Sequence, residues 1–222
     1  MAIGYDECKN SDIGAYLQSP FADVPLTEEG YNEVDSLIMS SIAYLPFESL
    51  EVEREKIMSV KEYLILFKTT PAKVNGVNVD GVTRYDILSD KDKALIDLAL
   101  ESERYNNIQI TNFSAKTNKE LNEQFAAVTF NFDDVSVVAF RGTDGTIEGW
   151  REDFNFAYVD EVVAHRDAVE YLRQVADKYE EGTIYTTGHS KGGNMAVYSF
   201  LNMDENTRAR IGRGDNFDGP GL

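Results

Sequence analysis

The stretch Thr186-Thr187-Gly188-His189-Ser190-Lys191-Gly192-Gly193-Asn194 limits what this chain can fold into more than any other. It follows the short β-type run Thr183-Ile184-Tyr185 and precedes Met195–Leu201, which reads as a helix. A strand that turns directly into a helix over Gly-x-Ser-x-Gly is the context of a nucleophile elbow. Such a turn forces the serine into a sparsely populated backbone region, so the positions two away on either side must lack side chains. Gly188 and Gly192 meet that demand, and Gly193 lets the helix pack closely on its strand. The hydroxyl of Ser190 then projects above the sheet, at a helix N-terminus whose dipole favours developing negative charge. A plain glycine-rich turn is the competing reading of the same residues.

The elbow needs a sheet, and the preceding residues supply one. Ile108–Ala115, Gln124–Phe132 and Val135–Phe140 read as strands, with Asp133-Asp134 as a tight hairpin turn between the last two. The third is almost wholly apolar, as a strand buried on both faces should be. Helices follow at about 147–156 and 161–180. The second carries Val162, His165, Val169, Leu172, Ala176 and Tyr179 on one stripe. A last short strand falls near Asn216-Phe217. Antiparallel strands followed by alternating strand and helix predict an α/β fold. Ahead of the sheet the signals are helical. Thr27 with Glu28-Glu29 starts a helix whose apolar positions Val34, Leu37, Ile38, Ile42 and Leu45 run up to Pro46. A second helix covers about 59–68, and Ser89 caps a third that runs to about Tyr105, with Ala94, Leu95, Leu98 and Ala99 on one face. Between them, residues 71–88 hold Asn-Gly and Asp-Gly pairs that mark a loop or a small hairpin. A metal reading of Asp80 and Asp86 in that stretch matches no calcium-loop spacing.

Composition removes several function classes. Lys and Arg total 21 against 39 Asp and Glu, a net charge of −18. A surface that acidic repels phosphate backbones and anionic membranes, which argues against nucleic-acid partners. Cys8 stands alone, so an internal disulfide or a Cys-based zinc site is excluded. The N-terminus lacks a basic segment followed by an apolar one, and no apolar run approaches a membrane span. The expectation is a cytoplasmic protein with no integral membrane segment.

A serine nucleophile needs an oxyanion hole, a base and an acid that orients the base. The backbone N–H of Lys191, next after the serine, is one expected oxyanion donor. The other should come from the loop after an earlier central strand, here Val137–Asp144. Gly142 allows close backbone approach there, and Thr143 can donate from its N–H and its hydroxyl. The competing reading of that loop is a strand-to-helix turn, with Arg141 paired to a carboxylate such as Asp153. His189 lies inside the elbow, where geometry keeps it from serving its neighbour as base, so it is expected to brace the turn. His165 lies on an apolar helical stripe and reads as a satisfied, partly buried histidine. Asp218 could be the acid, although an aspartate before Gly219-Pro220 also suits a turn. A Ser190–Lys191 pair acting without histidine is disfavoured because adjacent side chains diverge around an elbow. No cofactor and no metal are needed for such chemistry.

Phe140-Arg141-Gly142-Thr143, then Trp150 and Asp153, then Ala164-His165, then the elbow motif occur in the order and rough spacing of class 3 lipases. The chain also resembles an Mbeg-like, lipase-related bacterial family, whose members share the helical lead-in and a closing Asp-Gly-Pro-Gly like Asp218–Gly221. The resemblance covers roughly 108–222 well and the lead-in loosely. It implies an α/β-hydrolase-type mixed, mainly parallel central sheet flanked by helices, with an N-terminal helical region. Residues 1–105 would form the lead-in packed on the core, and 106–222 the hydrolase core. It further implies Ser190 as nucleophile, Thr143 and Lys191 as oxyanion donors, and Arg141 and Asp153 in structural roles. The substrate would be a small-molecule or lipid carboxylic ester. One departure stands out: in α/β-hydrolases the acid and then the histidine follow the serine, and here no histidine does. The chain also stops at Gly-Pro-Gly-Leu, directly after a strand. The expectation is a sheet truncated at its C-terminal side, the front part of a longer hydrolase, weakly active or inactive as it stands. A non-catalytic, hydrolase-like module that binds a partner or a lipid is the alternative.

Overall fold

The structure, a computed structural model, describes residues 13–53, 56–118, 123–143 and 162–221. The expected helix at 147–156 lies outside the described residues, as do Trp150 and Asp153. The chain forms two compact units, Met1–Val34 with Met58–Ile108, and Asp35–Ile57 with Gln109–Leu222. Asp35–Ile57, which the sequence assigns to the lead-in, thus groups with the core strands.

The first unit is built from short helices and one hairpin. It opens with α1 (Ile13–Leu17), a 3-10 turn at Pro20–Asp23, and α2 (Leu26–Glu29). The single helix expected from Thr27 to Leu45 is instead two. Gly30 ends α2 at φ 76°, and α3 (Glu33–Ile42), which from Asp35 onward belongs to the second unit, starts afresh where the Asn32 side chain accepts the Val34 N–H at 2.8 Å. After the two-residue strand β1 (Met58–Ser59) comes α4 (Val60–Thr69), close to its expected span. It begins with a capping box: Ser59 accepts the Glu62 N–H at 3.2 Å, and Glu62 accepts the Ser59 N–H at 2.7 Å. Its apolar stripe, Val60, Tyr63, Leu64 and Phe67, is buried. Strands β2 (Pro71–Val74) and β3 (Val77–Thr83) form an antiparallel hairpin. Asn75 and Gly76 turn it with φ of 50° and 79°, as a two-residue type I′ turn requires. Ser89 caps α5 (Asp90–Glu101), and Ser102 caps a separate α6 (Glu103–Asn106). In α5 the fully buried positions are Ile96 and Ala99, whereas Ala94 is exposed and Leu95 and Leu98 are half-buried. The Arg104 guanidinium is buried, donating to the carbonyls of Val24 at 3.1 Å and Gly30 at 2.7 Å.

The second unit is a layered α/β structure. Five of its strands pair in the order β4 (Gln109–Asn118), β5 (Glu123–Phe132), β6 (Val135–Phe140), β7 (Thr183–His189) and β8 (Ile211–Phe217). Among the described residues three helices intervene: α7 (Val163–Lys178), α8 (Lys191–Leu201) and α9 (Glu205–Ala209). The pairings β4–β5 and β5–β6 are antiparallel; β6–β7 and β7–β8 are parallel. The sheet is therefore mixed rather than mainly parallel. Direct links such as Asp133-Asp134 can only reverse a strand, whereas parallel pairs need the crossovers that α7 and α8–α9 provide. Strand β8 is also longer than the short strand expected near Asn216-Phe217.

Alternation along the strands assigns the two faces. Phe125, Ala127, Val138, Phe140 and Ile184 pack with Ala168, Leu172, Val175, Met195 and Ala196 of α7 and α8 in one buried cluster. Phe125, Phe140 and Tyr171 set their rings 6.1–6.4 Å apart at its centre. Fully burying each such side chain contributes roughly 1.5–3 kcal/mol. The neighbours Ala126, Val128, Val137 and Ala139 point the other way and are buried too. Thr186 donates to the Ala196 carbonyl of α8 at 3.0 Å, while Thr187 donates to the Ser36 carbonyl of α3 at 3.2 Å. Consecutive residues of β7 thus meet helices on opposite sides, and the sheet is covered on both faces.

Candidate functional site

Strand β7 ends at His189 and helix α8 begins at Lys191, leaving Ser190 alone at the turn. Its backbone lies at φ 55°, ψ −130°, a region that costs a non-glycine residue on the order of 1–3 kcal/mol. Three hydrogen bonds hold it there. Ser190 donates its N–H to the Phe217 carbonyl of β8 at 2.9 Å, and its own carbonyl accepts from Gly193 at 2.9 Å and Asn194 at 3.3 Å. The glycines are required by contact rather than by torsion. A Cβ on Gly188 would run into the carbonyl group of Gly192, and one on Gly192 would run into the Phe140 carbonyl. The strand, the strained serine and the helix therefore close against each other with no room for side chains, as the motif predicted.

The Lys191 side chain points away from Ser190. Its ammonium is buried and donates to the Gln124 carbonyl of β5 at 2.7 Å. This contact ties the first residue of α8 to the sheet. The Lys191 N–H belongs to the first turn of the helix, where backbone donors point out of the N-terminus toward the space above the serine.

The loop after β6 lies directly beside the elbow. Phe140 pairs with Gly188 in parallel register, and Arg141 donates its N–H to the Ala126 carbonyl at 2.9 Å. A Cβ on Gly142 would collide with the Tyr44 hydroxyl and come within 2.6 Å of the His189 carbonyl. The backbone at 142 is therefore pressed against the elbow, which carries Thr143 to its edge. The Arg141 side chain is buried and reaches Glu48 through both terminal nitrogens at 3.1 Å. Glu48 lies on the 3-10 turn Phe47–Leu50. The carboxylate partner weighed from sequence, Asp153, lies outside the described residues.

Each histidine has a ring partner elsewhere in the fold. His165 is buried, accepts the Val162 N–H at Nδ1 (3.3 Å), and so donates from Nε2 to the Asn194 Oδ1 at 2.6 Å. Its ring stacks on Tyr198 with centroids 3.8 Å apart. The Asn194 amide in turn donates to the carbonyls of Pro220 at 3.3 Å and Gly221 at 3.0 Å. His165 is thus a structural bracket, more deeply buried than its stripe position suggested. His189 meets the Tyr44 hydroxyl at 3.0 Å from Nδ1. Asp218 adopts φ 53° with its side chain exposed, directly after the residue whose carbonyl accepts from Ser190. That left-handed conformation suits a turn-forming aspartate, and Gly219 closes the turn by donating to the Asn216 Oδ1 at 2.9 Å.

Sequence reasoning did not find Tyr44, Glu48 or Ser36. Ser36 donates to the Asp215 carboxylate at 2.6 Å and lies 2.8 Å from the Thr187 hydroxyl. These residues sit more than 90 positions from their partners, with no local pattern to announce them. Among the described residues no cluster of His, Cys, Asp and Glu forms a metal site, and no helix is long and apolar enough to cross a membrane.

A mixed sheet covered on both faces, with a serine strained into the strand-to-helix turn, defines an α/β protein built around an elbow. The chain belongs to the Mbeg1-like family, whose model matches residues 99–222. No curated protein and no solved structure matched it.

Proposed function

We propose that this chain is an α/β-hydrolase-type serine ester hydrolase acting on small-molecule or lipid carboxylic esters. The observation that carries this is the Ser190 backbone at φ 55°, ψ −130° at the head of α8. Nothing in the packing of a simple turn calls for strain at a serine, whereas a nucleophile held clear of its neighbours does. In this mechanism Ser190 Oγ attacks the ester carbonyl carbon, and the carbonyl oxygen becomes an oxyanion. The N–H groups of Lys191 and Thr143 take that charge, and the Thr143 hydroxyl adds a third donor. Collapse expels the alcohol and leaves an acyl group on Ser190, which water then removes. A base takes the serine proton and returns it to the leaving alcohol; His165, with both ring nitrogens bonded to Val162 and Asn194, is not that base.

The test is covalent labelling by a fluorophosphonate, which mimics the tetrahedral intermediate. Peptide mapping should place the label on Ser190, and Ser190→Ala should abolish it. A wild-type protein that stays unlabelled at Ser190 would defeat the proposal. One observation favours a second reading, a non-catalytic hydrolase-like module: both ring nitrogens of His165 are bonded to Val162 and Asn194. Such a module would bind an acyl ester or a lipid with neither labelling nor turnover.

A further inference from the structure

We infer that Tyr44 is a positioning residue for the oxyanion cradle, locking the elbow to the loop that carries Thr143. The inference rests on the ester-hydrolase proposal above. Tyr44 follows α3 in a turn held by Ala43 N–H to Met39, Tyr44 N–H to Ser41 and Leu45 N–H to Ile42, at 3.0–3.1 Å. Ala43 and Leu45, on either side, are buried, so the turn is anchored while Tyr44 itself stays half-exposed. Helix α3 covers the face of β7 that bears Thr187, and His189 shares that face two residues on. The turn after α3 therefore delivers the Tyr44 hydroxyl to the end of β7.

There the hydroxyl meets both halves of the cradle. It lies 3.0 Å from His189 Nδ1 and 3.3 Å from the His189 carbonyl, and it fills the space where a side chain at 142 would stand. A hydroxyl has one proton, and a carbonyl can only accept. Both contacts are satisfied together when Tyr44 donates to the His189 carbonyl and accepts from Nδ1–H. This arrangement fixes the imidazole tautomer, with the proton on Nδ1, and braces the ring against the turn after α3. One phenol thus sets the spacing between the residue before Ser190 and the residue before Thr143. The two oxyanion donors belong to separate elements, and their separation decides how well they match a single oxygen.

The test is Tyr44→Phe in the full chain, which removes one hydroxyl and keeps the ring. Fluorophosphonate labelling of Ser190 should slow about 10-fold, short of the loss of an entire oxyanion donor. Amide hydrogen exchange should speed up by a similar factor at Gly142, Thr143, Ser190 and Lys191, with Val135–Phe140 unchanged. His189→Phe removes the ring half of the contact and keeps the bond to the carbonyl, so it serves if Tyr44→Phe does not fold; the double variant should be no slower than Tyr44→Phe. Labelling of Tyr44→Phe at the wild-type rate overturns the inference and leaves the hydrolase proposal standing. If the wild-type protein does not label, that proposal fails, and exchange alone decides the lock. Faster exchange confined to the two segments supports it, and unchanged exchange overturns it.

Discussion

At the residue scale, the side chains of this protein act mainly by fixing the directions of others. His165 shows how little exposure or residue type says about role. With Nδ1 accepting a backbone N–H and Nε2 donating to Asn194, its proton position is set by the residue that precedes its own helix and by a side chain of α8. A second cluster, in the first unit, yields a pH prediction. Tyr85 donates to Asp97 at 2.6 Å, and the Lys68 ammonium lies 2.6 Å from the other Asp97 oxygen and 4.9 Å from the Tyr85 ring centroid. The hydrogen bond to Asp97, aided by burial, pushes the Tyr85 hydroxyl up to about 12, while the Lys68 and Tyr85 donors hold Asp97 below the usual carboxylate value. The raised tyrosine contributes stability that is complete below its ordinary pKa of 10.0 and is lost as pH rises through about 12. The lowered carboxyl contributes stability that is present above its ordinary 3.8 and is lost as pH falls through its depressed value. A difference titration of tyrosinate absorbance, wild type against Asp97→Asn, should therefore show one tyrosine moving from about 12 toward 10. Superimposable titrations would remove the cluster's basis. Both groups are only half-buried, so solvent screening should keep the effect on folding stability below about 1 kcal/mol.

At the element scale, the strand–elbow–helix unit tolerates nothing at its crossing point. Gly192→Ala places a methyl group against the Phe140 carbonyl, which is backbone and cannot swing aside. At an unhindered site the same change stabilises by about 0.4–1 kcal/mol through the unfolded chain. Here it should destabilise by more than that and displace α8 from β6. Denaturant unfolding measures the stability change, and fluorophosphonate labelling reports whether the serine is still presented. A variant as stable as wild type would show that the close approach is not needed. The elements themselves were legible where the signal was local. Strand β6 spans the predicted residues, and α4 and the Asn75-Gly76 hairpin follow from capping and turn chemistry. The break between α2 and α3 was missed because the apolar spacing runs across it, while the Asn32 cap that restarts the helix is a single side chain. The division of α5 from α6 was missed for the same reason, since Ser102 caps the new helix from inside a continuous helical pattern.

At the scale of the whole molecule, the second unit is discontinuous in sequence. The family match begins at residue 99, yet the face of the sheet opposite α7 and α8 takes its cover from α3. A fragment spanning 109–222 would uncover Val128, Val137 and Ala139 on that face and lose Ser36, Tyr44 and Glu48 together. It should bind a hydrophobic dye and lack the near-ultraviolet circular dichroism of packed aromatics. Rejoining residues 35–57 through a flexible linker should restore a cooperative transition. A fragment that unfolds as sharply as the full chain would show the second helical layer to be dispensable. Within this unit the mixed strand directions follow from connection length, which a periodicity reading detects only indirectly.

What the sequence determined by itself was local chemistry: the glycines that let a serine stand strained between a strand and a helix, the capping residues, the turn pairs, and the apolar run of β6. Each depends on neighbours within a few positions, so the pattern and its physical cause lie in the same short stretch. The tertiary structure alone decided where the long-range partners fall. Glu48 rather than a nearer carboxylate takes Arg141, Gln124 takes the buried Lys191 ammonium, and Tyr44 reaches His189 from 145 positions away. These contacts depend on which helix covers which face of the sheet. That choice is made by burying the whole apolar surface of five strands at once, and no window of sequence contains it.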